Sequence, residues 1–342
     1  MSTASATQPE PRRLPHGRRL AVVMVLAPLL AALALWASAW PAARTAPRDL
    51  PLGVAGPAQA VTQLERQLEQ REGAFEVHRY ADEAAAREAI EDRTVYGAVV
   101  VTAQGPELLT ASAASPVVAQ LLQQAVAEQA AAEGTEVRTV DVVAAPEGDP
   151  RGAALNASLL PLAIAGIAAG AVVTLLGLRG PRAAIALLGA SALVGVTTAA
   201  IAHSWLGVLT GDWWAEAGTF GLTTLAIGAA VAGLAALIGT AGVGIAAATV
   251  MLIGNPFSGA PSAPQMLPEP AGAIGQWLPP GAGTTLLRSV SFFDGAAATG
   301  PALTLTWWAA LGLGAVLLGG VLAKRPKSDA EPASRRELTT VG

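Results

Sequence analysis

Long uncharged apolar windows alternate with short charged breaks along most of the chain. Crossing about 30 Å of hydrocarbon takes roughly 20 mainly apolar residues in a helix. Leu20–Trp40, Leu155–Leu178, Ala183–Ala202, Gly218–Ile238 and Ala302–Ala323 all meet that length. A sixth window, Thr240–Phe257, is shorter and interrupted by Gly242, Gly244 and Gly254. The pattern predicts a membrane all-α bundle of about six transmembrane helices. The first occupies 20–40, helices 2–5 occupy 154–257, and the sixth occupies 301–323.

Between the first and second spans, 41–153, the pattern changes to that of a small α/β domain. Pro51–Ala55 reads as a short strand, and Val61, Leu64 and Leu68 then recur at helical spacing until Gly73. Phe75–Tyr80 alternates as a strand does, and Asp82 is placed to cap a helix through Ile90. Gly97–Val101 is a continuous apolar strand. Ser115 followed by Pro116 opens a helix that Gly134 stops, and Val137–Val143 closes the domain as a last strand. Strands alternating with helices predict an α/β fold.

Charge sets the expected orientation. Charged residues are 13% of the 342-residue chain, about half the share in soluble domains. They collect in a basic tail over 1–19, in 41–153, in the Arg179–Arg182 break and in a tail over 324–342. With six spans, both tails and the Arg179–Arg182 loop fall on one side with a net charge of +7, whereas 41–153 carries −8. Positive residues favour the cytoplasm, so both termini are expected there and the α/β domain is expected to be extracytoplasmic. All eight tryptophans fall on the predicted outer half, as outer-leaflet anchors or as an aromatic ligand surface. The start of the chain, with Ala37-Ser38-Ala39 after an apolar run, also fits a cleavable signal peptide. That run exceeds a usual signal core, and a retained anchor is the expectation.

Catalytic and metal chemistry is sparse. There are no cysteines, and His16, His78 and His203 lie in three separate regions. No phosphate-binding loop, nucleophile elbow or zinc-protease motif occurs, so no enzyme activity, cofactor, metal or nucleic-acid partner is expected. The apolar windows lack Asp, Glu, Lys and Arg, with His203 at one edge. This argues against a proton-driven carrier, because such proteins place ionisable groups in the membrane. Gly166 and Gly170, with hydroxyls such as Ser191, Thr223 and Thr224, suit close helix packing. The Asn156-Ala157-Ser158 glycosylation match abuts a span and reads as chance or a helix cap.

The stretch 258–300 is broken by repeated prolines. Two short amphipathic pieces, about Glu269–Leu278 and Gly281–Phe293, are expected to fold over the outer mouth of the bundle. Irregular backbone near lipid needs a protein or water-lined cover. Trp277, Phe292 and Phe293 are expected at the headgroup level. With Arg288 and Asp294 they form the candidate outer-mouth segment.

One span, a small outer α/β domain and five further spans with a proline-broken segment before the last resemble the ABC type-2 exporter permease superfamily. The likeness is greatest to the branch containing the phage infection protein. It is carried by Leu50-Pro51-Leu52-Gly53-Val54, by Tyr96-Gly97-Ala98-Val99-Val100-Val101, and by Gln276-Trp277-Leu278-Pro279 through Arg288 to Phe292-Phe293-Asp294-Gly295. It implies a homodimeric or hetero-oligomeric subunit in the lipid bilayer, working in export with a separate ATPase subunit. Two features depart from the pattern. Gly56-Pro57-Ala58-Gln59 lacks the acidic residue often found after the first strand, and the inner loops are only about four residues each. The alternative expectation is a non-transporting scaffold or receptor whose outer domain binds an envelope component or secretion machinery.

Overall fold

A computed structural model describes residues 16–323. The basic tail and the carboxyl-terminal tail expected at 1–19 and 324–342 therefore lie almost wholly outside the described residues. Among the described residues, five helices are long and apolar enough to cross a membrane: Leu20–Ala43 of α1 (His16–Ala43), α5 (Ala153–Leu175), α6 (Pro181–Ala199) continued through Trp205, α7 (Trp213–Ile238) and α11 (Thr299–Leu322). The chain is a multi-pass membrane protein. In lipid every backbone N–H and C=O must find its partner inside the element, and helices of 23 to 26 residues do this across the full hydrocarbon thickness.

The sixth expected span is shorter than a full crossing. It forms α8 (Thr240–Ala248), nine residues, and a six-residue π-helical turn, Thr249–Gly254. At 1.5 Å per residue this is about 22 Å. The backbone turns at Gly254, whose missing Cβ would lie 2.9 Å from the Pro280 ring.

Helix α7 is the axis of the bundle, with α5, α6, α8 and α11 packed around it. Small residues permit this approach. A Cβ on Gly170 of α5 would fall 2.5 Å from the Gly228 carbonyl, and one on Gly312 of α11 would fall 2.3 Å from the Ala229 backbone. This is the packing expected of Gly166 and Gly170. The span hydroxyls mostly bond back to their own helix: Thr223 Oγ1 donates to the Thr219 carbonyl and Thr224 Oγ1 to the Phe220 carbonyl, both at 2.8 Å. Helix α1 stands apart and touches the bundle near Trp40, which meets Phe257 edge-on at 6.3 Å.

The α/β domain has a five-stranded mixed sheet, ordered β2-β1-β3-β4-β5. Its strands are β1 (Leu50–Ala55), β2 (Phe75–Tyr80), β3 (Gly97–Thr102), β4 (Gly105–Thr110) and β5 (Arg138–Asp141). β1 pairs in parallel with β2 and β3, β3 and β4 form an antiparallel hairpin, and β5 runs parallel to β4. The helices are α2 (Ala58–Glu69), α3 (Glu83–Glu91) and α4 (Pro116–Glu133). Asp82 caps α3 through Ala85 N–H at 2.9 Å, and Ser115 caps α4 through Val118 N–H at 3.2 Å. Gly134, at φ 66°, ends α4 in the left-handed region. Sequence pattern missed β4, whose Gly105-Pro106 start hides a strand signal.

The domain does not complete its own core. On one face of the sheet, Leu50, Leu52, Leu108 and Val118 bury Ala263 and Met266 of the proline-broken segment. On the other face, Ile90, Ala98 and Leu109 bury Phe293.

Candidate functional site

The proline-broken segment lies between the α/β domain and the bundle and grips both. Its two short helices, α9 (Ala271–Trp277) and α10 (Pro279–Phe292), closely follow the two expected pieces. Gly275 is required for their compact path, since a Cβ there would meet the Phe257 carbonyl at 1.6 Å. Gln276 ties the turn together: its Nε2 donates to the Ser258 carbonyl at 3.0 Å and its Oε1 accepts from Thr285 Oγ1 at 2.7 Å.

Helix α10 is buried, not spread over the mouth. It packs on α7 and α11, and Arg288 is only 5% exposed. Arg288 Nη2 donates to the Ala260 carbonyl at 2.5 Å. From the domain, Arg93 Nη1 donates to the Thr285 carbonyl at 2.9 Å and to Ser289 Oγ, while its guanidinium lies 5.2 Å over the Phe293 ring. Tyr96 OH donates to Gln265 Oε1 at 2.9 Å.

Neither arginine has a carboxylate within ion-pair reach among the described residues. Burial pushes the Arg288 guanidinium down to about 10, with Tyr96 opposing and Arg93 adding to the shift. It stays charged at neutral pH. Burial lowers Arg93 likewise and raises the Tyr96 phenol. Carbonyls, a ring face and hydroxyls therefore carry two partly desolvated cations at this joint, which suits firm docking.

The five predicted site residues do not form one surface. Trp277 is 74% exposed at the bundle edge, where its carbonyl accepts from Trp308 Nε1 at 2.8 Å. Phe292 is half-buried against the bundle core, and Phe293 is buried in the domain. Both rings thus pack against protein. Asp294 is exposed, at φ 49°, in an open cleft of about 680 Å³ that Glu91, Asp92, Phe292 and Phe293 also line. Among the described residues no group of three or more His, Asp or Glu is placed to hold a metal.

Residues 18–146 match the family model described as ABC-2 family transporter protein. The match begins in α1 and runs through the whole α/β domain. The likeness to that family is thus confined to the first span and the α/β domain. No curated protein and no solved structure matches the chain significantly.

Sequence reasoning missed Arg93 and Gln265, which no local motif marks, and took Tyr96 only as the start of the β3 motif and not as a partner of Gln265. It also missed Glu216, which lies fully buried in the first turn of α7 beside His203. A signal was present, because short hairpins between apolar helices set residues equidistant from the turn side by side.

Proposed function

We propose that the chain is a permease-like membrane subunit of the ABC type-2 exporter kind, taking part in export across the cell membrane with energy from a separate ATPase subunit. The family match over α1 and the α/β domain carries this reading. Its finer parts are the extracytoplasmic placement of the domain, cytoplasmic termini, a homodimer or hetero-oligomer, and kinship with the phage infection protein branch. The joint at Arg93, Arg288 and Phe293 would pass movement of the domain to α10, and thence to α7 and α11.

One observation favours the scaffold or receptor alternative. The α5–α6 connection is residues 176–180, and α7 joins α8 through Gly239 alone. Neither connection contains a helix on which an ATPase could dock.

Affinity purification of the full chain after cross-linking in native membranes separates the two readings. Recovery of a stoichiometric nucleotide-binding subunit, with ATPase activity that depends on this chain, is the expected result. Repeated recovery of an envelope or secretion component with no such subunit would overturn the export reading.

A further inference from the structure

Helices α6 and α7 form a hairpin, and its connection, residues 206–212, sets His203 level with Glu216. His203 Nδ1 lies 2.8 Å from Glu216 Oε2. The other carboxylate oxygen, Oε1, accepts the Gly211 N–H at 3.0 Å. The Glu216 side chain is 0% exposed, whereas that of His203 is 29% exposed. His203 therefore joins an enclosed carboxylate to the domain-side end of the bundle.

The surroundings make that carboxylate costly. Leu162, Ala202, Leu209, Phe220 and Leu287 belong to the apolar cluster at this end. A buried ionised carboxylate needs a compensating charge, and an ionisable group within a membrane span is a functional feature by default. The packed elements supply no other cation to the pair. Helices α8 and α11 carry no charged residue, and Arg182 lies at the opposite end of α6. Asp149, ahead of α5, bonds three backbone N–H groups of that helix. Asp212 caps α7 through Ala215 N–H at 2.8 Å, and Arg288 of α10 donates to Ala260. Among the described residues, Glu216 has an ion-pair partner only in His203.

We propose that His203 and Glu216 form a proton-binding site whose occupancy governs the grip of the α6–α7 connection on α10. The ligand is one proton taken from water through the exposed edge of the imidazole. It sits between Nδ1 and Oε2, as imidazolium beside carboxylate or as carboxylic acid beside neutral imidazole. The two forms differ only in the position of that proton. Its release leaves Glu216 charged and enclosed without a cation. A six-residue π-helical turn, Ala200–Trp205, carries His203, and such turns recur at functional sites.

The link to α10 is steric and direct. Gly211, held by the Glu216 carboxylate, lies so close to α10 that a Cβ would fall 2.0 Å from the Val290 carbonyl. Its neighbour Thr210 donates Oγ1 to the Ser291 carbonyl at 3.1 Å. Loss of the proton drives the carboxylate toward water and loosens this seam. The inference stands on hairpin geometry alone, independently of whether the chain transports anything.

Hydrogen–deuterium exchange on the full-length protein in lipid nanodiscs tests it. Peptides covering 204–216 are followed across a pH series. After correction for intrinsic exchange chemistry, wild-type exchange should rise several-fold as the pH is raised. Glu216→Gln and His203→Gln should flatten that rise to less than about twofold. Should Glu216→Gln fail to fold, His203→Gln carries the test alone, because its side chain is partly exposed. Wild-type protection that ignores pH overturns the proposal, and so does a rise that His203→Gln retains.

Discussion

The Arg93 guanidinium lies 5.2 Å from the centre of the Phe293 ring, and this contact joins the two halves of the molecule. Arg93 follows α3 in the α/β domain, and Phe293 caps the end of α10 at the bundle. The ring is buried among domain residues such as Ile90 and Leu109, and Arg93 reaches past it to the Thr285 carbonyl. The cation thus holds α10 by a carbonyl and a ring face at once.

Removing that anchor should loosen the domain. Phe293→Ala deletes a buried aromatic, which typically costs about 3–5 kcal/mol. The expected outcome is a lower thermal unfolding midpoint in nanodiscs, with faster proteolysis of residues 50–145 than of the spans. Equal loss of protection throughout would show instead that domain and bundle unfold as one unit.

Two glycines of α11 offer a matched comparison. A Cβ on Gly312 would meet the Ala229 backbone at 2.3 Å, while one on Gly314 meets nothing within 4 Å. Gly312→Ala should destabilise by about 1–3 kcal/mol, the usual cost of overpacking. Gly314→Ala should be neutral or gain up to about 1 kcal/mol of helix propensity. Unfolding midpoints of the two variants decide it, and similar values would remove the close α7–α11 approach from the account.

Legibility in the sequence followed the range of the forces involved. Spans were readable because lipid tolerates only continuous apolar helix, and caps such as Asp82 and Ser115 because capping is local. The joint was not readable, because Arg93 and Ser289 meet across 196 positions of sequence and neither belongs to a motif. Arg288 and Phe293 were read as outer-mouth residues, whereas both side chains are buried. Their burial depends on the domain settling onto α10, which periodicity within α10 cannot report. Glu216 was missed because it lies just before the apolar window that opens at Gly218, and its partner His203 is brought to it only by the hairpin.

Orientation can be tested directly, since the chain has no cysteine. Single cysteines at Glu69, Gly177 and Gly342 should separate cleanly with a membrane-impermeant maleimide on intact cells. Glu69→Cys should label at once, and Gly177→Cys and Gly342→Cys only after permeabilisation. The crossing of α8 with its π-helical turn matters most, because about 22 Å of helix must span a bilayer core of about 30 Å. Were Gly342→Cys to label from outside while Gly177→Cys stayed protected, the six-crossing arrangement would fail, since α8 must cross for the 258–300 segment to reach the α/β domain.

A single carboxylate closes the start of α5. Asp149, 6% exposed, accepts from Ala153 N–H at 2.7 Å, Ala154 N–H at 2.9 Å and Leu155 N–H at 3.0 Å. These are three of the orphan donors of a helix start. The ordinary cap position, Gly152 at φ 62°, has no side chain to serve them. Asn156, within the glycosylation match, does not fill the role: its Oδ1 is buried without a partner. Bonds to an ionised acceptor contribute about 1.5–3 kcal/mol, and buried donors left unpaired add to the loss. Asp149→Ala should therefore lower stability by about 2 kcal/mol or more, read as the unfolding midpoint of the full chain in nanodiscs. Asp149→Asn should fall between, since its amide offers one acceptor oxygen and turns two donors toward N–H groups. An Asp149→Asn variant as stable as wild type would mean that the charge is idle and that the helix start is served by geometry alone.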